Sequence, residues 1–212
     1  MRTVFLDFDG VVYHNTRTHA LIQSRSVEFM ATKCHVPMKE AVRLNRVNYT
    51  AHGHTVLGCP EFPLDEYNTQ VFRTFPDFTT KEDIAHINHL LELKTACSFN
   101  YVLCTNAPRA YCETVLHRMD IPIGDVFDMC FTSDTVGWVK PMREYYSAVE
   151  SSWTKGKQST IRFIDDSPLN IQALNQHPNW LGYLAATPDT VLSSLKTISE
   201  LDEMCDGPHY VN

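Results

Sequence analysis

No stretch of this 212-residue sequence approaches the roughly 18 consecutive apolar residues of a membrane span. Nor is there an excess of positive charge. Lys and Arg number 18 against 25 Asp and Glu, a net charge of −7, which argues against general nucleic-acid binding because that requires a basic footprint. Paired cysteine spacing is absent too. The seven cysteines (Cys34, Cys59, Cys97, Cys104, Cys112, Cys130 and Cys205) are odd in number and several lie in apolar runs, so free buried thiols in a reducing compartment are expected. Internal repeats and low-complexity stretches are missing. An apolar run begins by residue 4 and leaves no room ahead of it for a signal or transit peptide. The expectation is a cytoplasmic protein with no membrane association, no nucleic-acid ligand and no protein partner evident.

What is present is an apolar composition of 43%, enough for a sizeable core, and four short motifs. Val4-Phe5-Leu6 reads as a buried strand ending in Asp7 and Asp9, with Gly10 relaxing the backbone. Positions two apart on a strand share a face, so the two carboxylates repel unless a hard cation such as Mg²⁺ neutralises them. Tyr101–Cys104 is a second apolar run, ending in Thr105-Asn106. Lys140 stands before Pro141, which can open a helix at its first position. Ile161–Ile164 ends in Asp165-Asp166-Ser167. Taken singly, each motif has a plainer reading: a turn, a helix cap, a surface lysine, a loop before a helix with Ser167 as its cap.

From residue 98 onward strands and helices alternate. Strands are predicted at Asn100–Cys104, Asp128–Thr132, Ile161–Ile164 and Leu181–Ala185, and helices near Pro108–Met119, Pro141–Trp153, Pro168–Gln176 and Pro188–Lys196. Such alternation builds an α/β fold with a parallel sheet and helices on both faces, whose ligands bind at the carboxyl ends of the strands. Asp7, Thr105 and Asp165 all occupy that end. Residues 14 to about 95 carry almost no strand signal. Helices are predicted at Ala20–Lys33 (Ile22, Phe29 and Met30 at helical spacing), Pro37–Tyr49 (Ala41, Leu44, Val47) and Asp65–Arg73. Thr80 and Asp83 form a capping box that opens Lys81–Lys94. Tyr145 and Tyr146 read as helix-face packing, and the polar tail Leu201–Asn212 as loosely ordered. His52-Gly53-His54 and His86 with His89 have metal-compatible spacing but no third ligand.

Acid pair, hydroxyl, lysine, acid pair, in that order, resembles the haloacid dehalogenase (HAD) superfamily over nearly the whole chain. The resemblance implies a Rossmann-like core of residues 1–15 and 81–212 and an inserted helical cap at 16–80. It implies phosphomonoester hydrolysis with Mg²⁺. Asp7 is then the nucleophile that forms an aspartyl phosphate, and Asp9 the acid and base. Asp7, the Asp9 carbonyl and Asp166 would hold the metal, with Asp165 acting through water. Thr105, Asn106 and Lys140 would bind the phosphoryl group. The cap is similar to the fungal and plant pyrimidine 5′-nucleotidase group in Val11-Val12-Tyr13, Tyr49-x-x-x-Gly53, Gly58, Asp65-Glu66-Tyr67-Asn68 and the later Asn170, though Gly10 departs from it. Tyr49, His52 and Tyr67 are the expected substrate contacts, and a small phosphorylated metabolite, a nucleoside 5′-monophosphate first, is the expected partner. Alternatives are a phosphatase or phosphomutase for sugar phosphates or other small metabolites, and a catalytically inactive HAD-fold binding module.

Overall fold

The computed structural model describes residues 2–58, 63–154 and 160–205. Its elements run β1 (Arg2–Leu6), α1 (Thr16–Lys33), α2 (Met38–His52), α3 (Leu64–Val71), α4 (Lys81–Ala96), β2 (Phe99–Cys104), α5 (Arg109–His117), α6 (Ile123–Val126), β3 (Met129–Phe131), α7 (Ser133–Val136), α8 (Arg143–Thr154), β4 (Ile161–Asp165), α9 (Pro168–Ala173), β5 (Trp180–Leu184) and α10 (Pro188–Cys205). The five strands are parallel, in the order β3-β2-β1-β4-β5. This is the α/β architecture expected from the alternation.

The first strand lies at the centre because its side chains are apolar on both faces, as a strand covered on both sides needs. Val4 and Leu6 enter one core cluster with Tyr101, Leu103 and Ile164, while Phe5 enters the other with Val102, Phe163 and Trp180. Leu6 pairs with Leu103 on one side and with Ile164 on the other. That register levels the carboxyl ends of β1, β2 and β4. Tyr145 and Tyr146 of α8 are buried on the second face, their hydroxyls donating to the Phe131 and Asn170 carbonyls at 2.8 and 3.0 Å.

Helices α1, α2 and α3 pack on one another around Phe29, Met30, Ala41, Leu64, Tyr67 and Val71, a cluster that takes in Val139 from the core side and shares Ile22 and Phe72 with the main core cluster. Asn15 caps α1 by accepting from the Arg17 and Thr18 amides. Its Nδ2 donates to the Phe78 carbonyl at 2.6 Å and to Asp83 at 3.0 Å, so the segment leading into these helices is tied to the one leading out. Asp83 completes the predicted capping box with Thr80, and α4 lies against β2.

Several expectations are corrected. The helix after Lys140 begins at Arg143, not Pro141, because the chain first turns Lys140 into the sheet end. The last helix continues to Cys205, so Leu201–Cys205 is not a loose tail; residues 206–212 lie outside the described set. Val47 is exposed rather than packed, because the inward face of α2 runs through Ala41 and Asn45. Strand β3 is shorter than predicted: the Asp128 carboxylate accepts from the Tyr101 amide and Thr132 already caps α7. The short helices α6 and α7, four residues each, carry no periodic signal in the sequence. Cys34, Cys97, Cys104, Cys112 and Cys130 are free thiols; Cys59 and the Cys205 side chain lie outside the described residues. Among the described residues no helix is long and apolar enough to cross a membrane.

Candidate active site

Beyond Leu6 the chain keeps its pairing for one residue, with the Asp7 amide donating to the Ile164 carbonyl at 2.9 Å. It then makes a single tight turn in which the Val12 and Tyr13 amides donate to the Phe8 carbonyl, each at 2.9 Å. Gly10 sits in that turn at φ +83°, and a Cβ there would lie 2.3 Å from Asp166 Oδ2. Both the left-handed backbone and the close approach of a carboxylate require glycine.

Asp7 is fixed by two donors on one oxygen. Its Oδ1 accepts from the Phe8 amide at 2.7 Å and faces Lys140 Nζ at 2.9 Å. Lys140 is fully buried. Its ammonium also donates to Asp165 Oδ2 at 2.6 Å and to the Cys104 carbonyl at 2.8 Å, so all three of its N–H groups are used. Asn106 holds the Lys140 backbone from both sides, accepting from its amide at 2.6 Å and donating to its carbonyl at 2.9 Å. Asp165 is fully buried and accepts from the Ser167 amide at 2.8 Å and from Asn170 Nδ2 at 3.0 Å. Thr105 follows β2, and its amide donates to the Phe131 carbonyl at 3.0 Å. Neither Thr105 nor Asn106 caps α5, where Pro108 stands at the cap with no side-chain bond.

The charges explain the proton affinities. Burial pushes the Asp7 carboxyl well above the ordinary carboxylate range; Lys140 opposes this, while Asp165 and Asp166 add to it. Burial, reinforced by Asp165, raises Asp166 to about 6. For Lys140 burial works against the charge, but Asp165 and Asp7 outweigh it and hold the ammonium above its ordinary value. The cluster is thus one cation among three carboxylates, and it favours a second cation.

Asp9 lies on the same loop with its side chain partly exposed. Its Oδ1 accepts from the Tyr111 hydroxyl at 2.7 Å and faces His19 Nε2 of α1 at 3.2 Å. Burial lowers the proton affinity of His19, and Asp9 more than restores it, so the ring is held above its ordinary value. Over Asp7 and Asp9 opens a cavity of about 510 Å³ between the sheet end and helices α1–α3. Thr105, Asn106, Ala107, Asp166 and Ser167 line its floor, while Gln23, Ser26, Val42, Asn45, Arg46, Tyr49, Thr50, His54 and Tyr67 come from the helical side.

Among the predicted residues, Asp7, Asp9, Thr105, Asn106 and Asp166 share this cavity; Asp165 and Lys140 lie behind it, in contact with Asp7 or with each other. Tyr49 and Tyr67 line it as well. Tyr49 is 56% exposed, whereas Tyr67 is buried, its hydroxyl 2.9 Å from Ser26 Oγ. His52 does not line the cavity; Gly53 and His54 do, because α2 ends at His52 and Gly53 turns the chain inward at φ +75°. The Asn106 side chain is engaged by the Lys140 backbone rather than open to a ligand. His54 Nδ1 accepts from the Val56 amide at 3.3 Å, and His86 Nε2 lies 2.8 Å from the Val11 carbonyl. Reading the sequence missed His19, Tyr111, Asn45 and Arg46. The signal for His19 was its place in the first turn of the helix that follows the acid pair; the other three offered none.

Only Asp7, Asp165 and Asp166 among the described residues can offer three metal ligands together, their carboxylate oxygens lying within 4.8 Å of one another. An all-oxygen donor set is that of a hard cation, and Mg²⁺ fits it. Residues 1–177 match the family of haloacid dehalogenase-like hydrolases. The chain belongs to that family. No curated protein matches this HAD-like hydrolase. Among solved structures it resembles CbbY from Rhodobacter sphaeroides (TM-score 0.55, 11% identity, 87% of each chain covered). It also resembles a HAD-superfamily hydrolase from Ehrlichia chaffeensis (0.53, 15%, 95% of this chain and 99% of that one). A third likeness is to the HAD-hydrolase YfnB from Bacillus subtilis (0.51, 16%, 85% of each). At such identities the likeness establishes the shared fold.

Proposed function

We propose that this HAD-like hydrolase is a Mg²⁺-dependent phosphomonoesterase acting through an aspartyl phosphate. The observation that carries this reading is Asp7 itself: a carboxylate at the end of the central strand, held on one oxygen by Lys140 and the Phe8 amide, facing a large cavity. Asp7 attacks phosphorus; the bond to the leaving oxygen breaks with its electron pair, and Asp9 gives that oxygen a proton. Water then attacks the same phosphorus, passes a proton to Asp9 and releases phosphate from Asp7. Asp7, Asp166 and the Asp9 carbonyl would hold Mg²⁺, with Asp165 acting through water, and the ion would supply charge neutralisation on the phosphoryl oxygens. The YfnB structure is of a protein bound to magnesium and the CbbY structure of one in complex with phosphate, which supports this assignment. The Thr105 hydroxyl holds a phosphoryl oxygen. Lys140, with its three N–H groups engaged, orients Asp7 and acts on phosphate through its charge.

For the substrate we favour a nucleoside 5′-monophosphate. Tyr49 presents an exposed ring to the cavity, and aromatic rings stack on bases. The cap boundaries, 16–80, belong to the same proposal, as does placement in the cytoplasm. A second reading, a sugar-phosphate phosphatase or phosphomutase, is favoured by the polar side chains of Gln23, Asn45, Arg46 and Thr50 on the cavity wall. Purified protein with Mg²⁺, assayed for phosphate release against nucleotides and sugar phosphates, decides between them. Transfer to a second hydroxyl in place of release identifies a mutase. No turnover of any monoester would sink both readings.

A further inference from the structure

The Tyr111 hydroxyl lies 2.7 Å from Asp9 Oδ1 and takes no part in the chemistry above. We infer that Tyr111 is a positioning residue for the proton donor: it pins one carboxyl oxygen of Asp9, so that the other oxygen carries the proton to the leaving group. The inference rests on the phosphomonoesterase reading and adds a residue which that reading does not need.

Asp9 stands beyond the strand on a loop, with its side chain partly exposed, where a carboxyl rotates among rotamers unless something holds it. His19 Nε2 faces the same Oδ1 at 3.2 Å from a partly exposed side chain; Tyr111 is the nearer and more rigid holder. Its ring is 2% exposed and is wedged against Phe8, Phe72 and Phe75, with centroids at 5.8, 5.0 and 5.5 Å. With both side-chain torsions fixed by packing, the hydroxyl is a fixed point that aims Asp9 without further ordering cost. The direction of the bond is settled as well. Asp9 Oδ1 carries no hydrogen whether the carboxyl is ionised or protonated on its other oxygen, so it accepts and the Tyr111 hydroxyl donates.

The proton balance follows. In the first step the Asp7–phosphorus bond forms, the bond from phosphorus to the leaving oxygen breaks with its pair, and the proton moves from Asp9 Oδ2 to that oxygen. In the second, a water oxygen bonds to phosphorus, the Asp7–phosphorus bond breaks, and the water proton returns to Asp9 Oδ2. Tyr111 keeps its own proton throughout. Phe72 and Phe75 lie in the segment that brings the chain from α3 back to α4. Arg118 stacks on Phe75 at 4.4 Å and donates to the Pro76 carbonyl. The aim of Asp9 is therefore anchored to the stretch that joins cap and core.

The test is Tyr111→Phe, which deletes the hydroxyl and keeps the ring. Two monoesters are compared with Mg²⁺ present: an alkyl phosphate, whose leaving oxygen needs a proton, and para-nitrophenyl phosphate, whose leaving group does not. We expect kcat/KM on the alkyl ester to fall on the order of 10-fold to 10²-fold, with a much smaller loss on the nitrophenyl ester and an unchanged melting temperature. In an Asp9→Asn background the same change should add nothing, because the group it positions is gone. Equal losses on both esters, an undiminished alkyl rate, or an additive loss in the Asp9→Asn background would overturn the inference while the phosphatase reading stands. Absence of wild-type turnover would overturn both.

Discussion

The sheet end and the helices above it are built in different ways. At the sheet end Asp7, Lys140 and Asp165 are each held by several partners. Lys140 touches Asp7, Asp165 and the Cys104 carbonyl, and Asn106 fixes its backbone on both sides. On the helical side, α2 presents Val42 and Tyr49 to the cavity at 52% and 56% exposure. The helices meet the core through a mixture of contacts: Leu21, Ile22 and Phe72 pack on its main cluster and Asn68 donates to Ser133, while Asn15 and Arg25 tie α1 to the chain between α3 and α4. The contrast separates two demands. Chemistry needs groups fixed to fractions of an ångström on rigid elements. Choice of substrate needs a surface that is still uncovered before the ligand arrives.

The sharpest way to break that contrast is at Asp7. Asp7→Asn should reduce turnover to background with the fold retained, and chelation of Mg²⁺ should do the same reversibly. Phosphate release and circular dichroism measure both, and activity that persists in excess EDTA would remove the metal from the scheme. Lys140→Met tests the fixed region by stability. It leaves Asp7 and Asp165 buried without their cation, which costs about 3–5 kcal/mol when a buried pair is broken. Urea unfolding should show a loss of that size, and a loss under about 1 kcal/mol would mean that the cluster is less dry than its burial implies.

The helical side should respond more weakly and unevenly. Tyr67→Ala removes a ring packed against Phe29, His54 and Phe72 and should cost about 3 kcal/mol in stability, so its kinetic effect must be read on folded protein. The pH dependence has a definite sign. Burial lowers His54 to about 3, below the roughly 6.5 of an unfolded histidine. The unfolded chain therefore takes up the proton first, and the stability present above pH 6.5 is lost as pH falls toward 3. By pH 5 the loss is about 2 kcal/mol. His54→Gln should flatten the decline in melting temperature between pH 6.5 and 5; an unaltered slope would assign it to other buried histidines. Smallest in stability is Tyr49→Ala, expected within about 0.5 kcal/mol of wild type. It should raise KM for nucleoside monophosphates and leave para-nitrophenyl phosphate unaffected. A uniform loss on both would take base stacking out of the proposal.

The sequence by itself determined where the strands lie, to within a residue or two at each end, and which polar residues follow β1, β2 and β4. Apolar runs are local, and each of Asp7, Thr105 and Asp165 closes one, so their place at the carboxyl end of a parallel sheet follows from alternation alone. It also determined the capping box at Thr80 and Asp83, because a cap is a contact between residues three apart. The tertiary structure decided the rest. Nothing near Lys140 in sequence distinguishes it from a surface lysine; it turns inward because Asp7, Asp165 and Asn106 surround it from distant segments. Tyr111 reaches Asp9 across 102 residues, and His54 rather than His52 faces the cavity because Gly53 reverses the chain. For Lys140 and Tyr111 the deciding energy is a long-range electrostatic or hydrogen-bonding contact, and no short window of sequence contains both of its partners; for His54 it is the local turn at Gly53, whose inward direction only the packed fold sets.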